Sequence, residues 1–262
     1  MKTKSKYGLP NKVIFCKKCV ISNQRPDNVV EFKNKSNLKS GIHFDKNQIC
    51  AACNYHSIKE NNIDWEKREK KLIQLLSKYR KKSGYDCLIP GSGGKDSAYV
   101  SHILKYKYNM NPLTVTWAPH LYTDIGWKNF DQWTHTGGLD NILFTPNGRL
   151  HKTLTKISFL NLLHPFQPFI VGQKSIAPRI ATKFNIPLII YGENAAEYGH
   201  NTDENFKPLM SPKFFSNENQ KQIFLGGIKI NEIIKKYDFK INDFEPYIPT
   251  SKKEIEKKKI KV

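Results

Sequence analysis

No stretch of the sequence approaches the roughly 18 consecutive apolar residues that a membrane-spanning helix requires, so a membrane-embedded protein is not the expectation. The N-terminus (MKTKSKYGLPNKVIFC) is basic but has no apolar core of signal-peptide type, which points to a cytoplasmic location. Arginine is scarce. Of 43 basic residues only Arg25, Arg68, Arg80, Arg149 and Arg179 are not lysine. A formal charge of +20 invites a nucleic-acid reading, yet direct base and phosphate recognition favours arginine's planar fork. Lysines crowd both ends and residues 67–82, where a solvated helix face accounts for them. Nucleic acid is therefore not the expected partner. Internal repeats are absent as well.

What is present suits one substantial α/β domain with a small appendage: 262 residues, 39% hydrophobic and 12% aromatic. Residues 1–60 form a cysteine-bearing segment with little periodicity. Residues 64–82 read as an amphipathic helix, with Trp65, Leu72, Leu75, Leu76 and Tyr79 near helical spacing among charges. Strand candidates follow at 85–90, 112–117, 140–145 and 187–191. Helical patterns lie at 97–107, 149–163 and 173–185. Strands alternating with helices predict a doubly wound parallel sheet over residues 61–250, covered on both faces. In such sheets ligands bind at the carboxyl ends of the strands, so the loops at 91–97, 118–126, 145–148 and 192–200 carry the interest. The low-complexity tail at 251–262 (SKKEIEKKKIKV) is expected to be frayed or disordered.

The sequence PGSGGKDS at 90–97 follows a strand and opens a helix. Glycines let backbone N–H groups approach an anion, and the helix N-terminus adds a favourable dipole. Ser92 and Ser97 offer hydroxyls, Lys95 a cation, and Asp96 a carboxylate able to bind Mg²⁺. A Walker A loop is ruled out because Lys95 is followed by Asp96 and Ile89 occupies the earlier glycine position. A dinucleotide fingerprint is ruled out because Asp96 stands where its third glycine belongs. The bland alternative is a glycine turn of no chemical consequence.

Cys16-x-x-Cys19 and Cys50-x-x-Cys53 are two thiolate pairs that could supply a tetrahedral S₄ shell. Structural Zn²⁺ is the expectation, with an iron–sulfur cluster and unmetallated thiols as alternatives. Disulfides do not suit a cytosolic chain. Cys87, inside a buried strand, reads as a small hydrophobe.

SGGKDS resembles the SGGxDS signature of PP-loop ATP pyrophosphatases, enzymes that cleave ATP between its α- and β-phosphates. That resemblance implies a PP-loop sheet of adenine-nucleotide α-hydrolase type and assigns Ser92, Gly93, Gly94, Asp96 and Ser97 to the pyrophosphate. Further stretches narrow it: TVTWAPHLYTDIG at 114–126, GGLDNILFTPNG at 137–148, HPFQPFIVGQK at 164–174 and YGENAAEYG at 191–199. With the leading CxxC these resemble the N-acetyl sugar amidotransferases of bacterial surface-polysaccharide and flagellin-glycan biosynthesis, from about Cys16 to Pro249. The resemblance implies ATP, Mg²⁺ and Zn²⁺ as cofactors. It also implies an N-acetyl sugar substrate, nucleotide-linked or a nonulosonic acid, whose acetamido group becomes acetamidino.

On that basis Asp96 and Glu193, beside Gly192, are candidates for Mg²⁺ or ribose-phosphate contacts, and Lys95 and Lys174 for neutralising phosphate charge. Asp96, Lys95 and Glu193 are the catalytic candidates. Trp117 could border the adenine, with a core tryptophan as the equal alternative. For Glu193, Asn194 and Glu197 the alternative is a capped helix start. His120, His164 and His200 read more simply as hydrogen-bonding residues than as catalysts.

Two departures stand out. The family continues beyond the point where this chain ends in a lysine run, with a further helical region expected to help shape the sugar site. Nothing resembles a glutaminase either, since Lys2 follows Met1 and no cysteine lies in a glycine-flanked elbow. Ammonia is expected from solution or from a separate glutaminase subunit. The competing readings are a PP-loop tRNA-thiolating enzyme and a non-catalytic nucleotide-binding remnant.

Overall fold

The computed structural model describes residues 9–27, 30–33, 40–199, 207–217 and 223–262. Its centre is a parallel three-stranded sheet of β3 (Cys87–Pro90), β4 (Pro112–Trp117) and β5 (Asp140–Phe144), in the order β3-β4-β5. β4 owes its place to β-branched residues buried on both sides: all six of its positions are inaccessible. The expected fourth strand makes only a parallel bridge, Leu88 with Ile189, on the free side of β3. Hydrogen bonds from Leu88 N to Leu188 O (2.8 Å) and from Ile190 N to Leu88 O (2.9 Å) hold it there. The chain thus leaves β3 toward β4 and β5, then returns to β3's opposite flank.

Helices cover both faces. α2 (Trp65–Tyr79) and α3 (Lys95–His102, continued by a π turn at Ile103–Lys107) pack Leu72, Leu75, Leu76, Val100 and Leu104 on Cys87, Ile89 and Leu188. On the other face α5 (Gly148–Leu162) and α6 (Gln167–Lys183) enclose Leu88, Leu113, Val115 and Trp117. Alternation along β3, with Leu88 facing one layer and Cys87 and Ile89 the other, is the period-2 signature of a strand between two helical layers. Starts are capped as their residues predict: Asp64 accepts from Lys67 N, and Asn147 from Arg149 N and Leu150 N.

Three features differ from the expectation. Helix α1 (Ala51–Asn61) forms inside the supposedly aperiodic cysteine segment, and only its Tyr55 is buried, so no apolar stripe announced it. Helix α4 (Asp124–Thr134) fills the span after β4, capped by Thr123 and anchored by Phe130 and Trp133. The tail is not frayed. Helix α8 (Lys252–Lys257) buries Ile255, Ile260 is 5% exposed, and Lys261 bridges Leu188 in parallel. Two isoleucines among lysines suffice to dock it, because the edge at 187–189 offers unpaired backbone groups: Lys261 N donates to Pro187 O and Ile189 N to Lys261 O, both at 2.8 Å.

The remaining elements are small. β1 (Pro26–Asp27) pairs antiparallel with β2 (Ser40–Gly41), and β6 (Phe224–Leu225) with β7 (Ile228–Lys229), which leads into α7 (Ile230–Lys236). Phe32, from the cysteine-bearing segment, lies at 1% exposure in the main core, so that segment is sewn into the body of the molecule. No helix among the described residues is long and apolar enough to cross a membrane.

Candidate functional site

The phosphate-loop candidate sits at the carboxyl end of β3, where the chain divides between the two flanks of the sheet. Gly91 N still belongs to the ladder, donating to Val115 O at 3.0 Å. Gly93 then turns at φ +81°, and a Cβ there would lie 2.8 Å from the Phe130 Cα, so both conformation and space demand glycine. Gly94 caps α3 and faces open space. The first-turn N–H groups of α3 have no intrahelical acceptors and carry the positive end of the helix dipole.

Ser92, Lys95 and Asp96 are exposed, whereas Ser97 is buried and donates to Gly94 O at 3.0 Å. Lys95 Nζ lies 2.7 Å from Asp96 Oδ1, and that partner pushes the ammonium above the usual lysine range. An anion arriving at the loop would meet the Ser92 hydroxyl, the Lys95 cation and the first-turn N–H groups, while the Ser97 hydroxyl is turned to Gly94 O. Behind the loop, Trp133 Nε1 donates to Ser101 Oγ at 2.7 Å and braces α4 against α3.

The second wall is the stretch after residue 191. A Cβ on Gly192 would lie 2.9 Å from the Asp96 carbonyl, so Gly192 permits backbone-to-backbone contact between the two loops. Asn194 caps the short 3₁₀ helix Ala195–Tyr198, accepting from Ala196 N at 3.0 Å. The capped-start reading therefore holds for Asn194. Glu197 pairs with Lys59 at 2.9 Å. Glu193 is exposed and pushes the Tyr198 hydroxyl upward, with lesser contributions from desolvation, Asp96 and Glu197. Lys95 acts on the same hydroxyl in the opposite sense, so Tyr198 lies within reach of charges from both loops.

Lys174 on α6 is depressed from the usual lysine range by loss of water, against the opposing pull of Glu31 and Glu193. Glu31, which the sequence reading passed over, is 5% exposed. Its Oε1 lies 3.6 Å from His164 Nε2, while its Oε2 has no hydrogen-bond partner among the described residues. Gln167 Nε2 fixes the local backbone by donating to Glu31 O at 2.9 Å. Lys174 thus lies within the electrostatic reach of both Glu31 and Glu193. No motif marks Glu31; its burial beside His164, 133 positions away in the chain, is what singles it out.

Trp117 belongs to the core at 3% exposure, packed against Phe144 (5.0 Å between ring centroids) and Tyr247 (5.3 Å). Of the two readings of this residue, the core tryptophan matches its surroundings. His120 stacks on Phe169 at 5.2 Å and lies 4.7 Å from His151. Burial holds His151 down to about 4 and lowers His120 as well, so neither is charged near neutrality. His151 Nδ1 and the Tyr247 hydroxyl share a 2.8 Å hydrogen bond. His200 lies outside the described residues. A cleft of about 300 Å³ between α3 and α4 reaches the phosphate loop only at Gly93, and none of the expected site side chains lines it.

The four cysteines converge. Their sulfurs lie within 4.8 Å of one another, with Cys16–Cys53 at 3.9 Å and Cys19–Cys50 at 3.6 Å. Tetrahedral bonds of about 2.3 Å set S···S edges near 3.8 Å, so the spacing fits a metal ion such as zinc; a disulfide needs about 2.05 Å. All five cysteines are free thiols. Desolvation opposes charge on Cys16, but N–H donors from Cys50, Lys18 and Cys19 outweigh it and bring the thiol down to about 6. Cys50 and Cys53 are pushed up, first by desolvation and then by the neighbouring sulfurs. Four crowded sulfurs cannot all ionise without a cation to balance them, which is the donor chemistry that a tetrathiolate metal site supplies.

No family model matches the chain. A stretch of 81 residues is 33% identical to an uncharacterized protein of Methanocaldococcus jannaschii, covering 30% of this chain. The match spans 28% of that relative's length.

Proposed function

We propose that this chain is an ATP-dependent amidotransferase of the PP-loop ATP pyrophosphatase type, acting on the acetamido group of an N-acetyl sugar in surface-glycan biosynthesis. One observation carries the reading. The GSGGKDS turn lies at the carboxyl end of β3, between the two flanks of the sheet, with Gly192 brought against the Asp96 backbone and Glu193 next to it in the chain. Beside the parallel three-stranded sheet, the parallel bridges Leu88–Ile189 and Leu188–Lys261 extend the order past β3, which supports the reading of a doubly wound fold.

In this reading the N–H groups of 93–97 and the Ser92 hydroxyl hold the pyrophosphate portion of ATP, and Lys95 offsets its charge. Asp96 and Glu193 would hold Mg²⁺, whose charge favours attack at the α-phosphorus. The acetamido oxygen attacks that phosphorus and pyrophosphate leaves. Ammonia then adds to the activated carbon, AMP departs with the former amide oxygen, and the amidine remains. Lys174, largely removed from water and within reach of Glu31 and Glu193, would help to neutralise phosphate charge. Ammonia would come from solution or from a separate glutaminase.

A tRNA-thiolating enzyme is the rival, favoured by the charge of +20. It would ordinarily use a persulfide-bearing cysteine beside the nucleotide. Cys87 is fully buried, with its thiol pushed up to about 12 by desolvation and by Asp86, which disfavours that role. ATP–pyrophosphate exchange measured with nucleotide-linked N-acetyl sugars, nonulosonic acids and bulk tRNA separates the readings. Sugar-stimulated exchange is expected. Exchange with tRNA alone selects the rival, and none with any acceptor leaves a nucleotide-binding remnant.

A further inference from the structure

Helix α1 begins inside the cysteine cluster. Cys50 is its N-cap but makes no side-chain capping bond, and Cys53 lies in its first turn. An 11-residue helix with one buried side chain is marginal by itself. Something at its start must compensate, and the two cysteines there are half of the tetrathiolate set. Along the same helix Ala52, Tyr55 and Lys59 stand at i, i+3 and i+7, the spacing of a single face.

That face meets one partner. Gly199 lies against Ala52, Asn194 Nδ2 donates to the Tyr55 hydroxyl at 2.9 Å, and Lys59 pairs with Glu197 at 2.9 Å. The same loop touches the phosphate loop on its other side, through Gly192 against the backbone of Asp96 and Ser97, and Tyr198 feels the charges of Asp96 and Lys95. The 192–199 stretch is therefore held between the cysteine segment and the phosphate loop.

We propose that Tyr55 and Lys59 are positioning residues for the nucleotide site, and that a metal ion on the four cysteines, by fixing the start of α1, sets how firmly the 192–199 wall closes on the phosphate loop. The nucleotide part rests on the proposed function; the mechanical part does not. Tyr55 reaches the wall through Asn194, and Lys59 reaches it through Glu197.

The test uses the full chain with its metal. Tyr55→Phe and Lys59→Met remove the hydroxyl and the charge but keep the ring and the aliphatic stem. The double variant should retain the wild-type metal content and melting profile. Hydrogen exchange at Glu197 and Gly199, whose amides bond within the wall, should speed up about tenfold, as the loss of one hydrogen bond and one exposed ion pair allows. MgATP affinity measured by calorimetry should fall by a similar factor, and Lys59→Arg in place of Lys59→Met should restore part of both. Removing the metal from wild type with a chelator should speed exchange at the same amides.

Unchanged exchange in the double variant, or at those amides after metal removal, would overturn the proposal. Loss of metal from the double variant would also overturn it, since the dependence would then run the other way. Faster exchange in a protein whose wild type binds no MgATP would leave the bracing intact and remove the nucleotide reading instead.

Discussion

The four-cysteine cluster and the phosphate-loop site are built in opposite ways. The cluster is made of side chains: four sulfurs from two short turns, brought within 4.8 Å across more than thirty residues. The proposed phosphate site is made mostly of backbone: a glycine turn, the first N–H groups of α3, and a second loop that approaches because Gly192 has no side chain. A site of four identical ligands should fail all at once when its ion is withdrawn. A backbone site should fail by degrees, through whatever displaces its walls.

The largest effect should therefore come from chelation. Structural tetrathiolate sites contribute on the order of 10 kcal/mol of binding free energy that is also folding free energy. The metal-free protein should lose amide protection over 40–61 while β3, β4 and β5 keep theirs, as read by hydrogen exchange. Elemental analysis of protein purified without added metal should give about one zinc per chain. Protection lost equally across the sheet would erase the distinction between the two regions.

Acid should strike a third place, and that sharpens the comparison. His151 is 7% exposed and its folded-state value lies near 4, below the ordinary 6.5. Between those values the unfolded chain binds a proton that the folded chain refuses, so stability falls as pH drops from about 6.5 to 4 and levels off below that. The loss is about 3 kcal/mol, and His151→Gln should flatten the slope in denaturant titrations across that window. Metal release also rises in acid, so metal content followed in parallel separates the core's titration from the cluster's.

Next in size is Gly192→Val. Its side chain would meet the Asp96 carbonyl at 2.9 Å, and overpacking of about 1–3 kcal/mol should appear as roughly 10- to 100-fold weaker MgATP binding with metal content unchanged. The smallest changes are Asp96→Ala and Ser92→Ala, each expected to lower AMP formation by at least about tenfold while leaving the fold intact. Wild-type AMP formation in both would place the site elsewhere.

The two regions also differ in how much the sequence disclosed. Two CxxC pairs and the GSGGKDS run are contiguous motifs, and Cys16, Cys19, Cys50 and Cys53 do converge, just as residues 91–94 do turn from β3 into α3. The strand spans at 112–117 and 140–145 were legible from runs of β-branched and apolar residues. Hidden were the features that depend on long-range contact. Glu31 acquires its meaning from burial beside His164, and Tyr55 from a partner 139 positions away. The tail at 251–262 read as disordered because lysines dominate it, yet Ile255 and Ile260 are buried and Lys261 bridges Leu188 at an edge that no local pattern shows. Trp117 stood at a strand end where a ligand or a core could have claimed it, and Phe144 and Tyr247 surround it.

The central claim is that ATP activates the acceptor's own amide oxygen. An N-acetyl sugar labelled with ¹⁸O in its acetamido carbonyl, incubated with MgATP and ammonium, should deliver that label to the phosphate of AMP in one-to-one yield with the amidine. AMP formed without the label, or ADP formed in its place, would contradict it.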